Sequence, residues 1–243
     1  MKRIISIIMI GLLVLSFAAC SENGDKKGTL TDEATEEKTE AAATEATEAV
    51  TPMTGGWTEA DSPVITDEVK ALFDKLNTEQ TTGVQLTPVA YLASQLVAGT
   101  NHRVLCKMTP TVPDAVTTYV LVTVYEDLEG HASVTGILES NITAPEPYDP
   151  DNPVSGGWGE PTDPIVTDDV KATVEKAYAD SDGAACEPKA LLGMQVVAGY
   201  NYKILCKVTP IVPDAEPHYS IVTIYADLGG NAEVTGTYDF TDK

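Results

Sequence analysis

Histidine and cysteine are the residue types here best suited to catalysis, and the chain contains three histidines and four cysteines. The sequence repeats itself at a separation of about 100 residues. No histidine recurs: the equivalent pairs are His102 and Tyr202, His131 and Asn231, and Thr118 and His218. A shared active site needs shared acid, base or nucleophile groups, and the Cys and His spacings match no zinc site. We therefore expect no enzyme activity, no cofactor and no metal.

The first residues indicate export and lipid attachment. Two basic residues precede an uncharged apolar run from Ile4 to Phe17, and Ala18-Ala19-Cys20 follows. This pattern is typical of a secretory signal, and the cysteine after two small residues resembles the lipobox of bacterial lipoproteins. We predict a signal peptide over 1–19, a lipidated Cys20, and location at the bacterial cell envelope, outside the cytoplasmic membrane. An ordinary signal with an incidental cysteine is the alternative.

An acidic segment follows the signal. Residues 20–52 are rich in Thr, Glu, Ala and Lys and hold few large apolar residues, so we predict a disordered tether, with a partly helical stalk as the alternative. The formal net charge of the whole chain is −22, and the acidic residues are spread along its length. Such a chain cannot neutralise phosphates. We expect no nucleic-acid partner, and contact with a membrane only through the N-terminal lipid.

Two of the cysteines occupy equivalent positions in the repeat. Cys106 and Cys206 correspond, whereas Cys186 corresponds to Leu86. A position that is Leu in one copy and Cys in the other is typical of an apolar core site, because free cysteine behaves as a small hydrophobe. A Cys186–Cys206 disulfide is the alternative in an exported protein, and the sequence leaves both open.

The repeat divides the rest of the chain into two similar units. The second unit contains "VAGYNYKILCKVTPIVPDA" where the first contains "VAGTNHRVLCKMTPTVPDA". It likewise contains "VTIYADLGGNAEVTG" where the first contains "VTVYEDLEGHASVTG". Each unit is long enough for one hydrophobic core. We predict domain 1 over 53–138, a Pro-, Asp- and Asn-rich linker over 139–152, and domain 2 over 153–243.

The sequence of each unit predicts one helix followed by strands. Apolar residues recur at helical spacing behind Thr66 and Thr167, which are suitable N-caps. The predicted helix faces are Ile65, Val69, Leu72, Phe73 and Leu76, and Val166, Val170, Val174, Ala177 and Tyr178. The predicted strands of the first unit are 89–98, 102–108, 117–125 and 132–138. The expected fold class is α+β, with one helix packed on one face of an antiparallel meander and the other face toward solvent.

Three glycine-containing elements recur in register. They are the pair "GG" before Trp57 and Trp158, the hairpins "QLVAG" and "QVVAG", and the turns "DLEG" and "DLGG". This set, with the intervening helix, resembles the cystatin family and more closely its stefin branch. The resemblance implies two cystatin-like domains that inhibit papain-like cysteine proteases reversibly, each inserting an N-terminal glycine segment and two hairpin loops into the protease cleft. The last hairpin lacks the Pro-Trp of most secreted cystatins and the proline of the stefin loop, so it is less preorganised.

The resemblance also implies which residues contact the protease. Gly56 and Gly157 would allow close approach and the bend of the N-terminal segment. Met53 and Val154 would anchor that segment, and the hairpins would form the central wedge. The implied residues are Met53, Gly55, Gly56, Gln95, Leu96, Val97, Ala98, Gly99, Leu128, Val154, Gly156, Gly157, Gln195, Val196, Val197, Ala198, Gly199 and Leu228. Fold does not fix function, so an adhesion or ligand-binding lipoprotein without inhibitory activity is the alternative.

Overall fold

The computed structural model describes residues 55–79, 83–145, 156–179 and 183–241. The signal peptide, Cys20, the tether, Met53 and Val154 lie outside this range. Within it, no helix has the length and apolar character needed to cross a bilayer.

Each repeat forms a five-stranded antiparallel sheet in which neighbours along the chain are neighbours in the sheet. The strand orders are β1-β2-β3-β4-β5 and β10-β9-β8-β7-β6. The first repeat contains β1 (Trp57–Glu59), α1 (Asp67–Glu79), β2 (Val84–Val97), β3 (Gly99–Pro110), β4 (Thr118–Glu126) and β5 (Ala132–Thr143). The second contains β6 (Trp158–Gly159), α2 (Asp168–Ala177), β7 (Ala184–Val197), β8 (Gly199–Pro210), β9 (His218–Asp227) and β10 (Ala232–Asp239).

The helices begin where their capping residues predict. The hydroxyl of Thr66 accepts a hydrogen bond from the N–H of Val69 at 3.3 Å, and Thr167 makes the same contact with Val170 at 3.4 Å. These bonds satisfy N–H groups that have no partner inside a helix. Val69, Leu72, Phe73 and Leu76 of α1 pack into one cluster with the strands of the first repeat, and Val170 and Val174 of α2 do so in the second.

The expected fold class is wrong. More than half of the described residues lie in strands and only two short helices are present, so the protein is a mostly antiparallel β structure rather than a pair of independent helix-on-sheet domains. The sheet faces predicted to meet solvent instead pack against each other in one core. That core contains Ala90, Leu92, Leu105, Tyr119, Leu121 and Ala144 of the first repeat, and Ala190, Leu192, Leu205 and Ile221 of the second.

Polar contacts around the rim of this shared core also join the repeats. Lys189 donates to the Glu59 carboxylate at 2.5 Å, and Lys207 donates to its other oxygen. Lys107 of the first repeat forms an ion pair with Glu160 of the second. Glu59 and Glu160 occupy equivalent positions in the repeat, and so do Lys107 and Lys207. The two repeats therefore contact each other through the same surface, as in an isologous dimer.

The last strand of the first repeat extends into the segment that was predicted as the linker. Strand β5 continues to Thr143, beyond the expected end of the first unit at Leu138, and Ala144 is buried in the shared core. Tyr119 donates its hydroxyl hydrogen to the carbonyl of Leu192 at 3.3 Å. The two repeats belong to the same compact unit of the chain.

Candidate functional site

The three recurring glycine elements of each repeat meet at one end of its sheet. In the first repeat, Trp57 pairs with Gln95 across β1 and β2, and Thr100 pairs with Glu126 across β3 and β4. The N-terminal glycines, the β2–β3 turn and the β4–β5 turn therefore lie side by side. We call the set 55–56, 96–99 and 127–130 tip 1. Its equivalents 156–157, 196–199 and 227–230 form tip 2, with Trp158 paired to Gln195.

The recurring glutamine ties two of these segments together. The Gln95 amide donates to the carbonyl of Gly55 at 2.9 Å and accepts from the amide of Asn101 at 2.7 Å. Gln195 repeats both contacts, donating to Gly156 at 2.5 Å and accepting from Asn201 at 2.7 Å. In each repeat the glutamine side chain holds the N-terminal segment against the hairpin, and the following asparagine orients its amide. The sequence signal for this role was the joint recurrence of Gln and Asn six residues apart.

The glycine that ends each hairpin motif has a structural function. Gly99 and Gly199 are buried and have φ values of 129° and 127°. An added Cβ at Gly99 would lie 2.4 Å from the carbonyl oxygen of Glu126, and one at Gly199 would lie 2.1 Å from that of Ala226. Both positions therefore require glycine for close approach of the neighbouring strand. These two glycines support the tip from inside and do not contribute surface to it.

The β2–β3 turn is tighter than predicted. Val97 pairs directly with Gly99, so Ala98 alone forms the turn that the sequence suggested for residues 99–101. The carbonyl of Ala98 accepts the hydroxyl hydrogen of Tyr125 at 2.5 Å, and Tyr225 donates to Ala198 at 2.7 Å. The tyrosine of the neighbouring strand thus closes the hairpin.

The bend in the N-terminal segment lies one residue earlier than expected. Gly55 and Gly156 have φ values of 86° and 74°, and an added Cβ at either would meet open space. Neither Gly56 nor Gly157 is among the described glycines with positive φ. The first glycine of each pair therefore makes the turn.

An aspartate organises the β4–β5 turn. The Asp127 carboxylate accepts hydrogen bonds from the backbone N–H groups of Glu129 and His131, at 2.9 and 2.8 Å, and these bonds lower its pKa. Potential ligand atoms of these three residues lie within 4.8 Å of one another. The equivalent Asp227 makes similar bonds where the second repeat has Asn231 in place of the histidine. The cluster is therefore explained as a turn, without a metal ion.

Each helix braces the last turn of its repeat. Lys75 of α1 donates to the carbonyl of Gly130 at 2.6 Å, and Lys176 of α2 makes the same contact with Gly230. This contact was not predicted, although lysine recurs at equivalent places near the end of both helices. It fixes the third segment of each tip to the body of its repeat.

A cation lies over each tryptophan behind the glycine pair. The guanidinium carbon of Arg103 is 4.1 Å from the centre of the Trp57 ring, and the ammonium nitrogen of Lys203 is 4.8 Å from that of Trp158. Burial lowers the pKa of both basic groups. These contacts hold the tryptophan rings at the base of the N-terminal segment. The pairs were not predicted, although a basic residue recurs at the same place in both copies.

Each tip carries exposed aliphatic side chains. Leu128 and Leu228 at the last turns are 83% and 84% exposed, and the first hairpin residues Leu96 and Val196 are 47% and 65% exposed. Val97, Ala98, Val197 and Ala198 are also exposed. Exposed leucines that cluster at one end of a rigid sheet are typical of a binding surface.

Neither a family model nor a curated protein matches this chain. The functional argument therefore depends on the geometry of the two tips. That geometry brings together the described members of the predicted site, except that Gly99 and Gly199 are buried beneath it.

Proposed function

We propose that the protein is a two-headed, reversible inhibitor of papain-like cysteine proteases, with one tip for each protease. The observation that supports this proposal is the meeting of three turn segments, with exposed aliphatic side chains on two of them, at one end of each sheet. A protease cleft already holds the reactive thiolate, so an inhibitor needs only shape and desolvated contacts. Leu128 and Leu228 have the largest exposed fractions among the large hydrophobic residues that the structure describes, and they supply the apolar contacts.

A tip resists cleavage because its backbone is already engaged. The N–H of Gly55 donates to the carbonyl of Leu96 at 3.0 Å, and Val97 pairs with Gly99 across the turn. A protease binds its substrate as an extended chain with free backbone groups. The tip therefore occupies the cleft without presenting a cleavable strand, and binding needs little ordering of the loops.

The same proposal includes lipid attachment. Cys20 carries the anchor at the bacterial cell envelope, and the two repeats lie outside the cytoplasmic membrane. The acidic segment up to residue 52 then holds the tips away from the bilayer. The resemblance of the three motifs to the cystatin family supports the choice of protease class.

Titration of papain with the purified chain tests the proposal, using a fluorogenic peptide substrate. We expect reversible inhibition, with up to two proteases bound per chain. The double variant Leu128→Asp, Leu228→Asp should raise Ki by at least about tenfold, equivalent to about 1.4 kcal/mol. Each single variant should weaken inhibition at one tip only. Variants of the whole chain are needed because separating the repeats would expose the shared core.

The matched control alters aliphatic residues at other turns. Val112 and Ile211, between β3 and β4 and between β8 and β9, are 62% and 64% exposed. The variant Val112→Asp, Ile211→Asp adds the same charge and should inhibit as well as the parent. A folded parent that does not inhibit papain would contradict the protease proposal and favour adhesion or ligand binding. Equal loss in both double variants would show that the tips are not the contact surface.

A further inference from the structure

Cys186 and Cys206 lie in neighbouring strands on the same side of the second sheet. Cys186 pairs with Val208, and Cys206 pairs with Pro188, so the cysteines are diagonal neighbours across β7 and β8. Both contribute to the hydrophobic cluster beneath α2. They are thiols in the structure. Two thiols that are diagonal neighbours on one face of a sheet are a candidate for a covalent cross-link.

We propose that Cys186 and Cys206 form a redox modification site that closes to a disulfide by exchange with a small-molecule or protein disulfide. The structural basis is their diagonal position across β7 and β8, their shared place in one hydrophobic cluster and the accessibility of one of them. Cys186 lines a pocket of about 420 Å³ together with Lys171, Glu175 and Lys207, whereas Cys206 is buried. An external disulfide therefore reaches Cys186 first.

The reaction proceeds in two exchanges. The Cys186 thiolate attacks one sulfur of the external disulfide, forms a mixed disulfide and releases one thiolate. Cys206 then loses its proton to the released thiolate and attacks the Cys186 sulfur, which expels the second thiolate. The two cysteines are oxidised to a disulfide, and the external disulfide is reduced to two thiol groups.

The surroundings favour this order of attack. Hydrogen bonds from Cys206 and Tyr178 lower the pKa of the Cys186 thiol, so this residue more readily becomes a nucleophile. The pKa of Cys206 is raised by hydrogen bonding with Cys186 and by burial. The half-buried Cys186 attacks, and the buried Cys206 resolves the mixed disulfide.

Closing the bond requires a small movement of one strand. Diagonal partners in an antiparallel pair have Cα atoms about 7 to 8 Å apart, and disulfides prefer about 4.4 to 6.8 Å. Among the described strands, β6 pairs with β7 only at Met194 and Gln195. The part of β7 near Cys186 therefore lies outside that pairing. A register shift between Pro188 and Ala190 adjoins the site. A local adjustment of β7 at this irregularity can therefore bring the two cysteines closer without breaking the pairs between β6 and β7.

The disulfide would enclose the whole hairpin that carries tip 2. The closed loop runs from Cys186 to Cys206 and includes Val196 to Gly199. A cross-link of this loop length restricts the unfolded chain and raises stability. The first repeat has Leu86 in place of Cys186, so the modification distinguishes the two repeats. This inference does not depend on protease inhibition.

Peptide mapping of the full chain tests the site. The reduced protein is incubated with oxidised glutathione, alkylated and digested with trypsin, which cleaves after Lys189 and Lys203 and so separates the two cysteines. We expect the disulfide-linked peptide pair as the main product, with Cys106 alkylated. The Tm should rise by at least about 4 °C on oxidation.

Cys186→Leu is the matched control because it installs the residue found in the first repeat. The variant should give no linked pair and no rise in Tm on oxidation. A lasting glutathione adduct on Cys186 would overturn the proposal, because it would mean that Cys206 does not reach the mixed disulfide. Free thiols at both positions after oxidation would also overturn it.

Discussion

At the scale of single residues, the recurring motif separates into supporting and contacting positions. Gln95 and Gln195 hold the N-terminal segment, and Gly99 and Gly199 allow the neighbouring strand to approach. The residues between them carry the exposed apolar surface. The repeated motif therefore has a folding reason in addition to any binding reason.

Substitution of the hairpin glycine tests this division. Gly99→Ala should lower the free energy of unfolding by about 3 kcal/mol, because the new Cβ would overlap the Glu126 carbonyl at an unfavourable φ. Gly55→Ala is the matched control: its φ is also positive but its Cβ would meet open space, so we expect a loss of about 1 kcal/mol. Urea denaturation measures both. Equal losses would show that close strand approach is not the constraint.

At the scale of elements, the short strand β1 connects the two sheets. Its last residue, Glu59, accepts hydrogen bonds from Lys189 on β7 and Lys207 on β8, and these bonds lower its pKa from an ordinary value of 4.5. A three-residue edge strand is too short to be stable alone. Its ion pairs with the other repeat help to fix it.

The lowered pKa of Glu59 predicts a pH dependence. A carboxylate whose pKa is depressed by folding contributes stability above its unfolded pKa, and this contribution is lost as the pH falls through the folded value. Glu59→Gln should therefore lower stability by at most about 1 kcal/mol at neutral pH, since the group is partly exposed. The difference from the parent should shrink as the pH falls from neutral to below 4.5, the ordinary pKa of the carboxyl.

Thermal unfolding across this pH range measures the difference between Glu59→Gln and the parent. Glu129→Gln, at the exposed turn of tip 1, is the control for loss of one negative charge. If the stability difference between Glu59→Gln and the parent stays constant with pH, the ion pairs of Glu59 do not stabilise the contact between the repeats.

At the scale of the whole molecule, the shared core makes the two repeats one cooperative structure. Residues of both sheets contribute to the same buried cluster, including Leu105 and Leu205. Unfolding of one repeat would expose the inner face of the other. We therefore expect both repeats to unfold in a single transition.

The two tryptophans allow this expectation to be measured. Trp57 and Trp158 are the only tryptophans of the chain, one in each repeat, so Trp158→Phe and Trp57→Phe give separate fluorescence reports. In both backgrounds, Ile224→Ala should lower the free energy of unfolding by about 3 kcal/mol, because this buried residue lies in the second repeat's own core.

Ile211→Ala is the matched control, since Ile211 is 64% exposed and the change should have little effect. If Ile224→Ala shifts the urea midpoint reported by Trp158 and leaves that reported by Trp57 unchanged, the repeats are independent and the shared core does not couple them.

A sign of the shared core was present in the sequence. Val104, Leu105 and Cys106 are consecutive and fully buried, as are Ile204, Leu205 and Cys206. A strand with one face in water alternates apolar and polar residues, whereas a strand buried on both faces is apolar throughout. The unbroken apolar runs indicate that both faces of each sheet are covered. The prediction that one face of each sheet meets solvent did not take these runs into account.

By itself, the sequence determined the local structure and the pairing of equivalent positions. Helix capping at Thr66 and Thr167, the amphipathic helix faces and the hairpins follow from side-chain patterns that act over a few residues. The repeat also indicated which elements correspond. These features depend on local propensity and periodicity, which a single chain displays directly.

Only the tertiary structure decided what covers the inner face of each sheet. The periodicity of a strand specifies that a face is buried but carries no information about its partner, because hydrophobic burial is not directional. Here the partner is the other repeat, joined by Glu59 with Lys207 and by Lys107 with Glu160. The same long-range contacts made one β structure out of two sequence repeats.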